Sequence, residues 1–237
     1  MGVAANVESR GMRWPLTRWD VAGAFGDIGV LLGLPPKMTI TDAAASIQFA
    51  DSGALSTMLT RHESGVYVLP APAEAVLGIT LSPEELVGVC SALQSFCGHV
   101  IVDTPTVFDD SILALLEAAD EILLVGGMDI PSVKNLKIGM QALDLAAIAG
   151  PKLHLVLNRA NTQVKLDVRE IEQVLALRAE FPIPSDIAVP ISVNAGIPVV
   201  DQDPKSPATR AMEHIAAILL GADAAATSKK RRGRKQK

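Results

Sequence analysis

From about residue 66 onward, short runs of consecutive apolar residues alternate with longer stretches whose apolar positions recur at helical spacing. VYVLP at 66–70 reads as a strand. The next segment opens Ser82-Pro83-Glu84-Glu85, with a serine cap, proline at the first helical position and glutamate three residues past the cap. That pattern predicts a helix from Pro83 to about Phe96. HVIVD at 99–103 has the consecutive apolar positions of a strand buried on both faces, and Asp109-Asp110 then introduces the helical SILALLEAA. EILLVGG (121–127), a helix over 132–149, KLHLVLN (152–158), a helix over 167–180 and a last helix opened by Ser206-Pro207 continue the rhythm. Such an order predicts parallel strands joined by right-handed helical crossovers.

Before residue 66 the pattern weakens. FGDIGVLLGL (25–34) ends at Pro35-Pro36, TDAAASIQFA reads as a short helix with Thr41 near its cap, and residues 1–19 carry no convincing apolar strand. Beyond Gly221 the chain turns into ADAAATS and a basic run that cannot bury enough apolar surface to fold alone, so 222–237 is expected to be disordered. The organisation is therefore an atypical stretch (1–19), one domain (20–221) and a basic tail (222–237).

With 237 residues, 49% hydrophobic and only 3% aromatic, the core must be built from Ala, Val, Leu and Ile, which suits helices packed on a parallel sheet. The formal charge of −5 hides a division, because the last nine residues, KKRRGRKQK, hold seven Lys or Arg. Cys90 and Cys97 are read as buried thiols of one helix, and the four histidines have no zinc spacing. A reducing cytoplasm is expected, with no structural metal and no run of about eighteen apolar residues to span a bilayer.

The run VIVDTP carries the first chemical signal. An apolar strand ending in Asp103 sets a carboxylate at the carboxyl end of a central strand, where open α/β sheets bind ligands. There it can orient a magnesium ion, through water, against polyphosphate charge, or it can simply cap the following loop.

Taken in order, FGDIGVLLGLPP, VYVLPAP, VIVDTP, DIPSVKN, LVLNR, IPSD with VNAGIPVV, and SPATRAM resemble the MinD/ParA family of deviant P-loop ATPases. The similarity spans about residues 20–220 and is greatest to the CpaE/TadZ proteins of Flp (Tad) pilus assembly. It implies a three-layer, doubly wound, mostly parallel α/β fold. It also implies a catalytic role for Asp103 as the Walker B aspartate, with magnesium bound through water, and for Asp20 as the first acidic residue of its motif. Asn158 and Arg159 match the position that reads adenine. An amide offers both a donor and an acceptor to that base, although an Asn at a strand end can also serve only as a cap. Pro184, Ser185 and Asp186 match the segment whose backbone lies along the base. Asp129, Ser132, Lys134 and Asn135 match a region near a nucleotide-dependent dimer face, or equally an ordinary helix start. Gly196 and Pro198 in VNAGIPVV read locally as a helix end.

The departures are as informative. Family members begin with a strand and the loop KGGxGKT, which cradles phosphates; upstream of Asp20 this chain has ESRGMRWPLTRW, and the second acidic position is Ala22. The expected sheet therefore lacks its first strand, and a normally central gap must be filled by another segment. ATP/ADP and Mg2+ are the implied cofactors, yet a site without its phosphate loop is not expected to hydrolyse ATP, so the chain reads as a shortened member. Three functions stay open: a CpaE/TadZ-like ATPase-family protein of pilus assembly, a non-catalytic localisation scaffold, and a ParA- or MinD-type partition or positioning protein. The implied partners are a second copy of the chain and pilus-assembly proteins, with an anionic membrane or nucleic acid reached through Lys229–Lys237 as a further possibility. The implied location is the cytoplasm, with peripheral attachment at the inner face of the membrane as the variant.

Overall fold

A computed structural model describes residues 2–8, 20–23, 28–35, 37–47, 52–72, 81–148, 150–160 and 166–219. The elements run β1 (Gly2–Glu8), β2 (Asp20–Gly23), α1 (Ile28–Leu31), α2 (Ile40–Ile47), α3 (Ser52–Met58), β3 (Thr60–Arg61), β4 (Tyr67–Leu69) and α4 (Pro83–Gln94). They continue β5 (His99–Thr104), α5 (Asp110–Ala118), β6 (Glu121–Gly127), α6 (Ile130–Leu145), β7 (Leu153–Asn158) and α7 (Val168–Leu175). The chain closes with β8 (Ala179–Ile183), α8 (Ala188–Ala195), α9 (Val199–Gln202) and α10 (Pro207–Leu219). Among the described residues the strands form one eight-stranded sheet in the order β3-β4-β2-β5-β1-β6-β7-β8. The expected tail, 222–237, and Asp27 lie outside the described residues.

Local chemistry explains the elements that were anticipated. Ser82 accepts the Glu85 N–H at 3.2 Å while the Ser82 N–H donates to Glu85 Oε2 at 2.9 Å, so the capping box starts α4 as its spacing predicts. Asp109 caps α5 by accepting the Ile112 N–H at 2.9 Å. Lys152 donates from Nζ to the carbonyls of Leu116, Glu117 and Ala119, at 3.0, 2.9 and 3.0 Å, supplying the last turn of α5 with a cation. Gly196 ends α8 in the left-handed region at φ 68°, as its place before Pro198 suggests.

Three expectations need correction. The helix expected over 167–180 stops at Leu175, and Ala179–Ile183 forms the edge strand β8; the helix-favouring run ALRAE is overridden by pairing with β7. The start of α2 is set by Thr39, which donates both its N–H and its hydroxyl to Asp42, while Thr41 falls inside the first turn. Finally, residues 1–19 do contain a strand. β1 fills the central gap by pairing antiparallel with both β5 and β6, Ala4 facing Asp103 on one side and Leu123 on the other. Two strand edges left open in the middle of a sheet demand main-chain partners, so backbone hydrogen bonding recruits a segment of modest apolar content.

The main core lies between the sheet and the helices of one face, with Leu86, Leu93, Ile112, Leu115, Leu116, Leu136 and Leu143 inaccessible or nearly so. On the other face Val156, Phe181, Ile183 and Ala208 form a smaller cluster beneath α10. Among the described residues no helix is long and apolar enough to cross a membrane.

Candidate functional site

The carboxyl ends of β5 to β8 lie along one edge of the sheet, where a parallel α/β fold exposes the loops that bind ligands. Asn158, the last residue of β7, sits opposite Gly127 of β6 and Ile183 of β8. Its Oδ1 accepts the Arg159 N–H at 2.9 Å, and Arg159 turns the chain through the left-handed region at φ 58°. The Ala160 N–H then donates to the Ile183 carbonyl at 2.9 Å, tying that turn to the end of β8.

This turn and the loop after β8 enclose a pocket of about 380 Å³, within the range of small-ligand sites. All five residues expected on the base side, Asn158, Arg159, Pro184, Ser185 and Asp186, line it together. Ile187, Val189 and Pro190 complete the wall and were missed in the sequence; they are apolar side chains directly downstream, of the kind that packs on a planar ligand. The hydrogen bond to Arg159 takes one lone pair of the Asn158 amide oxygen, so the amide N–H groups and the second lone pair are what it can offer a ligand.

Asp186 serves the wall itself. One carboxylate oxygen accepts the Ala188 N–H at 2.9 Å and the other accepts the Ala208 N–H at 3.3 Å. The Ala188 N–H holds its carboxyl below the usual range, against some desolvation, with smaller help from Ala208 and the Ser206 side chain. The loop is thereby fastened to the starts of α8 and α10.

Asp103 stands one residue before the end of β5, half-buried, opposite Gly23 of β2 and Ala4 of β1. Three strand steps, roughly 14 Å, separate β5 from β7, so Asp103 and the pocket share an edge without touching. Asp20 is not level with them. It begins β2 opposite Val100 and Tyr67, three residues or roughly 10 Å nearer the amino edge than Gly23.

At the start of α6, Asp129 accepts both the Ser132 N–H and the Ser132 hydroxyl at 2.8 Å, and these bonds hold its carboxyl below the usual range. A Cβ on Gly127 would lie 2.9 Å from Asp129 Oδ2, which explains a glycine at the end of β6. Lys134 and Asn135 follow on the exposed face of the helix. This cluster therefore performs the work of a helix start.

The direction of β1 decides the phosphate side. Gly2 lies at the carboxyl edge, opposite Val125, and Glu8 lies at the amino edge, opposite His99. A loop that cradles phosphates must leave the carboxyl end of a central strand, beside Asp103. Here the carboxyl end of the central strand faces the other way. The carboxyl end of β1 therefore lies at the edge opposite to Asp103 and to the pocket lined by Asn158 and Pro184–Asp186.

Comparison with known proteins places this architecture. No family model matches the chain. A ParA family ATPase from Chlorobium tepidum superposes with a TM-score of 0.72 at 25% identity, covering 84% of each chain. The chain has the MinD/ParA P-loop ATPase fold. The septum site-determining protein MinD of Pyrococcus horikoshii, solved with Mg-ADP, shares it at a TM-score of 0.68 and 20% identity, over 87% of this chain and 84% of that one. An uncharacterised ATP-binding protein of Methanocaldococcus jannaschii is 27% identical over 219 residues, 90% of this chain and 79% of its own length. These similarities are to an ATP-binding protein and to proteins of the MinD/ParA fold.

Proposed function

We propose that this chain is a CpaE/TadZ-like positioning protein for Flp pilus assembly, of the MinD/ParA type, that retains a nucleotide-base pocket and does not turn over ATP as it stands. The observation that carries this reading is the antiparallel central strand: Ala4 is level with Asp103, but the strand's carboxyl end lies at the opposite edge. Phosphoryl transfer is almost wholly positioning and charge stabilisation, so a site without the phosphate cradle loses both. Asp103 then remains as a carboxylate at a strand end, the residue to which magnesium would be drawn if a cradle were supplied.

In this reading the chain acts by binding: a second copy and pilus-assembly proteins are its partners, in the cytoplasm or at the inner face of the membrane. A ParA-like alternative rests on the similarity to a ParA family ATPase together with the run KKRRGRKQK, which suits nucleic acid phosphates. It predicts duplex binding that weakens steeply with salt and disappears when 229–237 are deleted.

Steady-state phosphate release with magnesium and ATP tests the main reading. The expected result is release no faster than in the protein-free control. Turnover that disappears in Asp103→Ala would overturn it.

A further inference from the structure

On the face covered by α10, away from the candidate pocket, His154 of β7 sits between two glutamates of its neighbouring strands. Its Nε2 lies 2.7 Å from Glu121 Oε2 on β6 and its Nδ1 lies 2.6 Å from Glu180 Oε2 on β8. The ring packs against Phe181 at a centroid distance of 5.7 Å, and its side chain is only 13% exposed. We propose that His154 is a proton-operated clamp, joining β6, β7 and β8 while both ring nitrogens carry protons and loosening when one proton leaves.

Two contacts this short between nitrogen and carboxylate oxygen each need a proton between the atoms. Imidazole is the most basic of the three groups, so both protons belong on the ring, which then donates one N–H to each glutamate. Removing either proton turns a ring lone pair toward a carboxylate oxygen at the same distance, converting an attraction into a repulsion. Among the described residues, the two glutamates are the charged groups in ion-pair contact with the ring. Just before β7, Lys152 is committed to the carbonyls at the end of α5. From α10, Ala211, Met212 and Ile215, all uncharged, pack on the apolar cluster that includes the ring's neighbour Phe181, while Glu213 and His214 are exposed.

Partial burial works against the charged ring, but the hydrogen bonds to Glu180 and then Glu121, with the charges of both, raise His154 above its ordinary value. The clamp is therefore fully fastened below the unfolded value near 6.5 and is lost as pH rises through the higher folded value. Its location gives it leverage. The β7–β8 pair contains a register irregularity at Leu155/Val156, immediately beyond His154, and the same two strands end at Asn158 and Ile183 beside the pocket. On β8 the partner Glu180 is the residue passed over between Ala179 and Phe181, so the clamp ties β7 to the irregularity itself.

Proton NMR of the full chain follows the His154 ring through pH, with His154→Gln to assign its signal. The expected titration midpoint in wild type lies above about 6.5 and falls in Glu180→Gln. Between about pH 6 and pH 9, the thermal midpoint of wild type should drop by more than that of His154→Gln. A wild-type midpoint at or below about 6.5, or an equal drop in the two proteins, overturns the proposal. Should His154→Gln not fold, the wild-type titration and its displacement in Glu180→Gln decide alone.

Discussion

Asp186 accepts the backbone N–H of Ala208 at 3.3 Å across 22 residues of chain, and so binds the wall of the candidate pocket to the first turn of α10. The same carboxylate accepts the Ala188 N–H at 2.9 Å. Because these bonds hold the folded carboxyl below its ordinary 3.8, the stability it contributes is complete above that value. It is lost as pH falls through the lower folded value. Asp186→Asn should lower the thermal midpoint at neutral pH and flatten its acid dependence below about pH 4. Melts of the two proteins across that range check this; parallel curves would show that the carboxylate does not hold the loop.

Gly126 is required by packing. A Cβ there would stand 2.5 Å from Leu136 Cδ1 and 2.7 Å from its Cγ, inside a fully buried contact between β6 and α6. Gly126→Ala should cost roughly 1–3 kcal/mol by overpacking. Leu136→Ala alone should cost about 2–5 kcal/mol by opening a cavity. Urea denaturation of the double variant should show less than the sum of the two losses, since the small side chain makes room for the added methyl.

Lys152 offers a test of the junction between α5 and β7. Its ammonium serves three carbonyls that no further turn of helix can satisfy. Lys152→Met keeps most of the apolar stem and removes the donors, and should destabilise the chain by roughly 1–3 kcal/mol in urea unfolding. Lys152→Arg should recover part of the loss.

Much of this was visible in the sequence, for reasons that differ from residue to residue. The start of α4 is a local bargain between Ser82 and Glu85, three residues apart, so the sequence displays it directly. β5 and β6 each contain an unbroken apolar run, 100–102 and 122–125, of the kind buried parallel strands carry. The pocket residues were legible only through an ordered resemblance, because Asn158 and Ser185 carry no local signature of a site. β1 was not legible: its place is set by the open backbone edges of β5 and β6 rather than by its own side chains. Nor was the His154 cluster, whose partners lie 33 residues before it and 26 after it, brought together only by strand order. The helix expected over 167–180 was right to Leu175 and misread beyond it, because a strand at a sheet edge can be built from residues that favour helix when tertiary pairing is available.

In the proposed function this chain keeps the base half of a nucleotide site and lacks the phosphate half. Calorimetric titration with adenosine and, separately, with magnesium-ATP measures both halves at once. The expected result is that adenosine binds, that Asn158→Ala weakens it, and that the Kd for magnesium-ATP falls within about threefold of the adenosine value, a difference under 1 kcal/mol. Adenosine failing to bind, or magnesium-ATP binding a hundredfold or more tighter, about 2.8 kcal/mol, would contradict it.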